Sequence, residues 1–510
     1  MSESADKIRV FADYTRDFVE QANIAVVGSG PGGAVVAREL ASAGHDVILL
    51  EEGPPFTPAD FELDAGLSMA RTMREGGLRT TRGYIMPTMQ AIALGGGSLV
   101  NSAICVRAPA ATLETWCRDF ELDHTSRADL DPHYEAVEKF LGIALTPEDV
   151  LGDRNLLFRK ACDVLGYSSE PISRNVRGCR GSGECFTGCR ARAKQSMDIS
   201  YVPALVRAGG RVLTSVRVQR VQAQGRRVTG ISGQVVRPFT GEASFSFRVD
   251  AKIVVLAAGV MATPVILQNS DDLANRSRQV GENLQFHPGV AVAGIFPDRT
   301  NPQFGATQGY QSLAFIQEGF KLETLLAPAA LHMIRVPGLG FELKEHMAEI
   351  PNAVIWDAIA SCNRSLGRVR ARRRTMDPLI TWRFHPDDVL ILRRALWVLA
   401  RLLFAAGARK ILPGVHRLPD EMHSLEEARV LRDHELRAND LVCGGNHAFS
   451  STRMHGDPRR GVIGEDGRCH DLENLYIADT GILPRSPSVN PMHTCMALAH
   501  RIAGHIADRL

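Results

Sequence analysis

No run of about 18 or more uninterrupted apolar residues occurs in the chain, which excludes a hydrophobic membrane-spanning helix. The nearest approach, "VLILRRALWVLARLLFAAGARK" over 389–410, is broken by Arg393, Arg394 and Arg401 at helical intervals. It reads as an amphipathic helix, seated on a protein core or on a membrane surface. The opening "MSESADKIRVFADYTRDF" has no apolar segment of the kind that targets a chain for secretion. Charge of one sign is lacking too. The 59 basic and 57 acidic residues leave a net charge of +2, which gives no electrostatic argument for a nucleic-acid partner. The ten cysteines contain no C-x2-C pair, so the common zinc and four-iron spacings are absent. A chain of 510 residues needs no disulfide staples, and reduced thiols in a cytoplasmic protein are expected.

What is present is ordinary globular composition, with 45% hydrophobic and 23% charged residues, and length enough for about two large or three average domains. The strongest local signal is "NIAVVGSGPGGAVVARELASAGHDVILLEEG" over 23–53. Ile24–Val27 reads as a buried strand and 34–43 as a helix. Between them, Gly28, Gly30 and Gly33 form G-x-G-x-x-G in the strand–turn–helix setting that the motif requires. Gly28 permits the tight turn, Gly30 lets a pyrophosphate approach the backbone, and Gly33 lets the helix pack against the strand. A second strand, "DVILL", leads to Glu51, whose carboxylate can accept hydrogen bonds from an adenosine ribose. The pattern predicts a dinucleotide site, and the loop alone does not choose between FAD and NAD.

A second glycine cluster, "LGGGSLVNSA" over 94–103, joins the first loop in a pattern that resembles the glucose–methanol–choline (GMC) oxidoreductases, FAD enzymes that oxidise alcohols. The resemblance puts Gly95, Gly96, Gly97, Ser98 and Asn101 in the flavin-contacting loop. Some members carry a histidine that bonds covalently to the flavin at the position of Val100, so non-covalent FAD is expected here. "VRVQRV" (216–221) resembles the strand that meets adenine near Val218. "IVVLAAGVMATPVILQNS" (253–270) resembles the second family signature, with Ala258 at the cofactor. "VGENLQFHPG" (280–289) resembles the passage into the substrate domain. "NLYIADTGILP" (474–484) resembles the strand that brings Asp479 to the ribityl chain. The chain departs from the family at Asn269, Ser270 and the two aspartates after them, where a Ser-Gly pair is usual.

Near the C-terminal end the chain reads "NHAFSSTRMHGDP", and the resemblance makes His447 the active histidine. His455 falls where the family commonly has glycine and is assigned a loop or surface role. The second polar group falls at Asn490 in "VNPMHTC", with His493 as the weaker candidate. In the implied reaction a hydride leaves the carbinol carbon for flavin N5 while His447 takes the hydroxyl proton. The Asn490 amide would hold the developing alkoxide.

"GCRGSGECFTGC" (178–189) spaces Cys179, Cys185 and Cys189 as C-x5-C-x3-C. Some dehydrogenases of the resembling family hold a three-iron cluster on such a segment; the alternative is a glycine-rich loop with free thiols or one disulfide. No metal ligands are otherwise expected. The segments 111–195 and 285–440 are rich in apolar residues, including "LLAPAALHMI" (325–334), which suits a fatty, terpenoid or sterol-like alcohol or simply an ordinary core. The run "RVRARRR" (368–374) reads as a solvated edge, or as a site for an anionic substrate or an acidic electron acceptor.

The expected architecture is α/β. A Rossmann-like FAD domain would be assembled from 1–110, 196–284 and 441–510. It would flank an insertion at 111–195 that carries the cysteine loop, and a substrate domain at 285–440 with an antiparallel sheet. The electron acceptor is molecular oxygen or another redox acceptor. An FAD-containing lyase of the same fold is the competing reading.

Overall fold

The computed structural model describes residues 7–62, 64–326, 328, 336–372 and 375–510. Ile24–Val27 and Val47–Leu50 are buried without interruption, as strands covered on both faces by helices must be. They lie side by side and parallel at the centre of a sheet of eight strands. Its parallel part runs Ile8–Arg9, Arg211–Leu213, Val47–Leu50, Phe18–Val27, Ala243–Leu256 and Leu475–Ile477. The long strand Ala243–Leu256 does double service. Its last residues pair with Leu475–Ile477, while its earlier ones pair on the same edge with Arg227–Val236, which in turn pairs antiparallel with Val216–Gln224. The helices Pro31–Ser42 and Met492–Ala507 pack against each other, and both contribute side chains to the core of this sheet.

A second sheet of seven strands is antiparallel throughout. Its order is Lys410–Leu412, Gln285–Ile295, Ala353–Ala360, Phe320–Leu325, Tyr310–Ser312 and Glu170–Pro171, with Gly444–Phe449 also pairing on Gln285–Gly289. The α/β class with an antiparallel second sheet is therefore as expected. The helix Pro386–Ala406 covers one face. It starts where His385 accepts from Asp387 N–H and Pro386 occupies the first turn, and it ends at Gly407 in the left-handed conformation. Leu392, Leu396, Leu399 and Leu403 pack into the core beneath it with Leu322, Trp356 and Val292. Among the described residues no helix is long and apolar enough to cross a membrane. This amphipathic stretch lies on a protein core, and Arg401 reaches Tyr167 Oη at 2.7 Å.

Strand alternation then decides what the other face presents. Lys321 pairs across the ladder with Ile359 and Glu323 with Asp357, so these four share the face away from the helix. Gly289 and Ala291 lie on the same face, opposite Ile359 and Asp357. That face looks toward the parallel sheet, and the site lies between them.

Candidate active site

One cavity runs from the first glycine loop to the second sheet and holds about 2050 Å³ of empty space, part of it open to solvent. At one end are Gly28, Gly30, Glu51, Val218 and Ala258, and along it lie Gly96, Gly97, Asn101 and Asp479. His447 and Asn490 line it as well. Local rules explain the glycine loop. Gly28 has φ +99°, and a Cβ there would lie 2.2 Å from the Ala257 carbonyl oxygen. A Cβ on Gly33 would lie 2.0 Å from the Gly28 carbonyl oxygen, so Gly33 serves packing and does not line the cavity. A Cβ on Gly30 or Gly97 would meet nothing within 4 Å, which leaves the backbone at both open to a ligand.

Two carboxylates are held in place along this cavity. Glu51 accepts from Ser29 N–H at 3.0 Å, Ser29 Oγ at 2.6 Å and Gly53 N–H at 2.8 Å. Burial pushes its carboxyl above the usual range, and those three donors pull it back. Ser29 Oγ also accepts from Gly95 N–H at 2.8 Å, so it ties the two glycine loops together. Asp479 accepts from Thr263 Oγ at 2.5 Å, Gly259 N–H at 3.0 Å and Gly481 N–H at 2.7 Å, and burial raises its pKa in the same way.

Some expected contacts fall elsewhere. Ser98 is fully buried and turned away: its hydroxyl donates to Gly95 O at 2.6 Å and accepts from Met197 N–H at 2.9 Å. Neither Ser98 nor Gly95 lines the cavity; they shape the turn that carries Gly96 and Gly97. His455 is not at the surface. It is fully buried, packs on Phe120 with ring centroids 5.7 Å apart, and accepts from Asp457 N–H at 3.0 Å. His493 is equally buried, against Tyr134 and away from the cavity lining.

The cysteine loop contributes a ring. Phe186 lines the cavity, and its neighbour Cys185 has Arg174 Nη2 at 3.2 Å. Burial raises the Cys185 thiol pKa, but Arg174 and Lys194 outweigh it and bring it below the ordinary value. Among the described residues no three His, Cys, Asp or Glu side chains are gathered as a metal ion would need, and that holds for Cys179, Cys185 and Cys189 as they stand here. None of the ten cysteines is in a disulfide. Of the basic run, Arg368 pairs with Glu282 at 2.8 Å and Arg370 pairs with the same carboxylate; Arg373 and Arg374 lie outside the described residues, as does most of "LLAPAALHMI".

The chemistry gathers around His447. Its Nε2 is 3.5 Å from Asn490 Nδ2, although 43 residues separate the two. Burial pushes the His447 pKa down to about 4; Glu323 works to raise it and Lys321 to lower it. The imidazole is therefore neutral at pH 7 and able to take a proton. Five further polar side chains surround the pair. Lys321 and Glu323, both fully buried, pair at 2.7 Å, and Lys321 Nζ donates to Asn490 Oδ1 at 2.7 Å. Gln308 Nε2 donates to Glu323 Oε2 at 2.5 Å. Asp357, beside Glu323 in the ladder, lines the cavity too. His287 Nδ1 lies 3.3 Å from His447 Nδ1. Sequence reasoning had not picked out any of them. Only the histidine in "QFHPG" stood inside a stretch already singled out.

A parallel-sheet dinucleotide cradle that opens onto a neutral histidine and an amide defines a nucleotide-dependent oxidoreductase. Two family profiles described as GMC oxidoreductase match residues 69–289 and 363–499, and one described as an NAD(P)-binding Rossmann-like domain matches 26–56. An uncharacterized GMC-type oxidoreductase of Mycobacterium tuberculosis is 32% identical over 492 residues, covering 95% of this chain and 76% of that one. The chain belongs to the GMC oxidoreductase family. A long-chain-alcohol oxidase of Arabidopsis thaliana is 26% identical over 519 residues, covering 96% of this chain and 68% of that one. Among solved structures, pyridoxine 4-oxidase from Mesorbium loti superposes with a TM-score of 0.72 at 17% identity, over 95% of this chain and 98% of that one. Formate oxidase of Aspergillus oryzae superposes with a TM-score of 0.73 at 17% identity, over 97% and 99%. The family is one of flavoproteins, and FAD is the cofactor. The donor set fits it: the open backbone at Gly30 and Gly97 suits a pyrophosphate, and Glu51 and Asp479 suit ribose and ribityl hydroxyls.

Proposed function

We propose that this chain oxidises an alcohol to the aldehyde or ketone, with His447 as the base and Asn490 as the group that orients the hydroxyl. The observation that carries the reading is the meeting of His447 Nε2 and Asn490 Nδ2 at 3.5 Å on the wall of the dinucleotide cavity. FAD bound in that cavity supplies the hydride acceptor. The protein's own part is proton chemistry and positioning. A hydroxyl within reach of both atoms gives its proton to Nε2 and accepts a hydrogen bond from the amide as negative charge develops on oxygen. Reoxidation falls to molecular oxygen or another redox acceptor.

Val260, Met261, Phe186 and Ile359 in the lining favour an alcohol with an apolar body, as does the likeness to long-chain-alcohol oxidases. Glu323, Asp357 and Gln308 narrow that reading. A bare alkyl chain offers these polar groups no hydrogen bond, whereas a second polar atom on the substrate can offer one. We therefore favour an alcohol that carries further polar atoms beside an apolar body.

The test is anaerobic addition of alcohols to the purified yellow protein. Bleaching by apolar alcohols with a second polar group, faster than by 1-dodecanol, is the expected result. Flavin that stays oxidised with every alcohol, in a protein that cleaves a cyanohydrin, would instead make the chain a lyase.

A further inference from the structure

Lys321 is a fully buried ammonium, and an ammonium can only donate hydrogen bonds. Its bond to Asn490 therefore fixes the amide: oxygen faces Lys321, and the NH2 group faces His447. That N–H points at His447 Nε2, which must accept. A neutral imidazole that accepts at Nε2 carries its proton on Nδ1. His447 Nδ1–H then faces His287 Nδ1 at 3.3 Å, so His287 accepts there and holds its own proton on Nε2. His287 Nε2–H meets Ser486 Oγ at 2.6 Å. Ser486 accepts from Ser488 N–H at 3.0 Å and donates its single hydrogen to Ser361 Oγ at 3.0 Å, so it must accept from His287. The two ends of the chain thus require the same pair of tautomers.

We propose that Lys321 and His287 are positioning residues for alcohol oxidation, which lock His447 as the Nδ1–H tautomer, so that the unprotonated Nε2, which accepts from Asn490 at rest, is free to take the proton of a substrate hydroxyl that displaces that bond. This rests on the reading of His447 as the base. Without Lys321 the Asn490 amide is free to turn over and present its oxygen to His447, which favours the opposite tautomer with Nε2 already protonated and unable to act. His287 acts from the other side. It accepts the Nδ1–H in the resting state and continues to do so when Nε2 has taken the substrate proton. Glu323 keeps the Lys321 charge balanced at 2.7 Å and is itself held by Gln308.

The experiment compares two pairs of variants as holoenzymes. Lys321→Met combined with Glu323→Gln removes the donor without leaving a lone buried carboxylate, while Lys321→Gln with Glu323→Gln retains a neutral donor. His287→Leu removes the acceptor, and His287→Asn keeps an oxygen near the place of Nδ1. With flavin still bound, K321M/E323Q and H287L should bleach at least about 100-fold more slowly at saturating alcohol, with KM changed only a few-fold. The partners K321Q/E323Q and H287N should recover most of that loss. Histidine-selective 15N spectra give a readout independent of turnover: wild-type His447 should carry its proton on Nδ1, and K321M/E323Q should shift it to Nε2. Wild-type bleaching rates in K321M/E323Q and H287L, or a wild-type proton on Nε2, would overturn the proposal. So would a rise in KM with kcat unchanged, which would make Lys321 a substrate-binding group. If no alcohol bleaches even the wild type, the activity reading fails, while the nitrogen spectra still decide the tautomer.

Discussion

His447→Ala leaves a cavity where the base stood, and the rate of flavin bleaching by alcohol should fall by about 10²- to 10⁴-fold in stopped-flow mixing, with the yellow holoenzyme intact. Asn490→Ala removes the amide donor to the developing alkoxide and should cost about 10²-fold in the same assay. Because burial holds the His447 pKa near 4, the bleaching rate should stay level from neutral pH downward and fall as pH drops through about 4. A base limb near 6.5 would contradict that burial. At this scale the sequence was only partly legible. Gly28, Gly30 and Glu51 could be read because turn, strand and helix are local and each residue type has one physical reason to be there. Ser98 could not: a serine in a glycine loop does not announce whether its hydroxyl turns to the ligand or back to its own backbone. His455 lies in a loop, one half of its expected role, but is buried and not at the surface, because a position in a loop says nothing about burial.

The second sheet shows why whole elements were harder to read. In "FKLETL" the alternation of apolar and charged residues suggests an ordinary half-exposed strand. Both faces are in fact covered, and only the pairing register puts Lys321 and Glu323 beside Asp357 on the cavity. Charged residues at every second position therefore mark a functional face here and not a solvated one. The helix Pro386–Ala406 was readable, since its leucines repeat at helical spacing, and it supports that sheet from behind. Leu399→Ala should destabilise the sheet by about 2–5 kcal/mol, read from urea unfolding followed by tryptophan emission, because Trp356 packs in the same core. In the first glycine motif, Gly33→Val drives a side chain into the Gly28 carbonyl and should yield protein without bound flavin.

For the described residues as a whole, desolvation depresses the pKa of several histidines, among them His287, His447 and His493, the latter two to about 4. In the unfolded chain each titrates near 6.5. Between the two values the unfolded state binds more protons, so folded stability is lost progressively as pH falls below about 6.5. The midpoint of thermal unfolding should drop steadily between pH 6.5 and 4 and be less steep in a His493→Gln variant. FAD that binds only the folded protein should raise the midpoint at every pH in that range.

The shared strand Ala243–Leu256 also bears on how the chain is made. A ribosome delivers Phe18–Val27 and Val47–Leu50 first, yet the strand that closes the other side of Val254–Leu256 arrives only with Leu475–Ile477, followed at once by Asp479. Until then the growing polypeptide carries an open, apolar sheet edge that can pair with a neighbouring nascent chain. Contacts so far apart in sequence also make folding slow. Overproduction should therefore favour inclusion bodies at fast translation, and slower synthesis or a chaperone that shields Val254 and Val255 should recover soluble yellow protein.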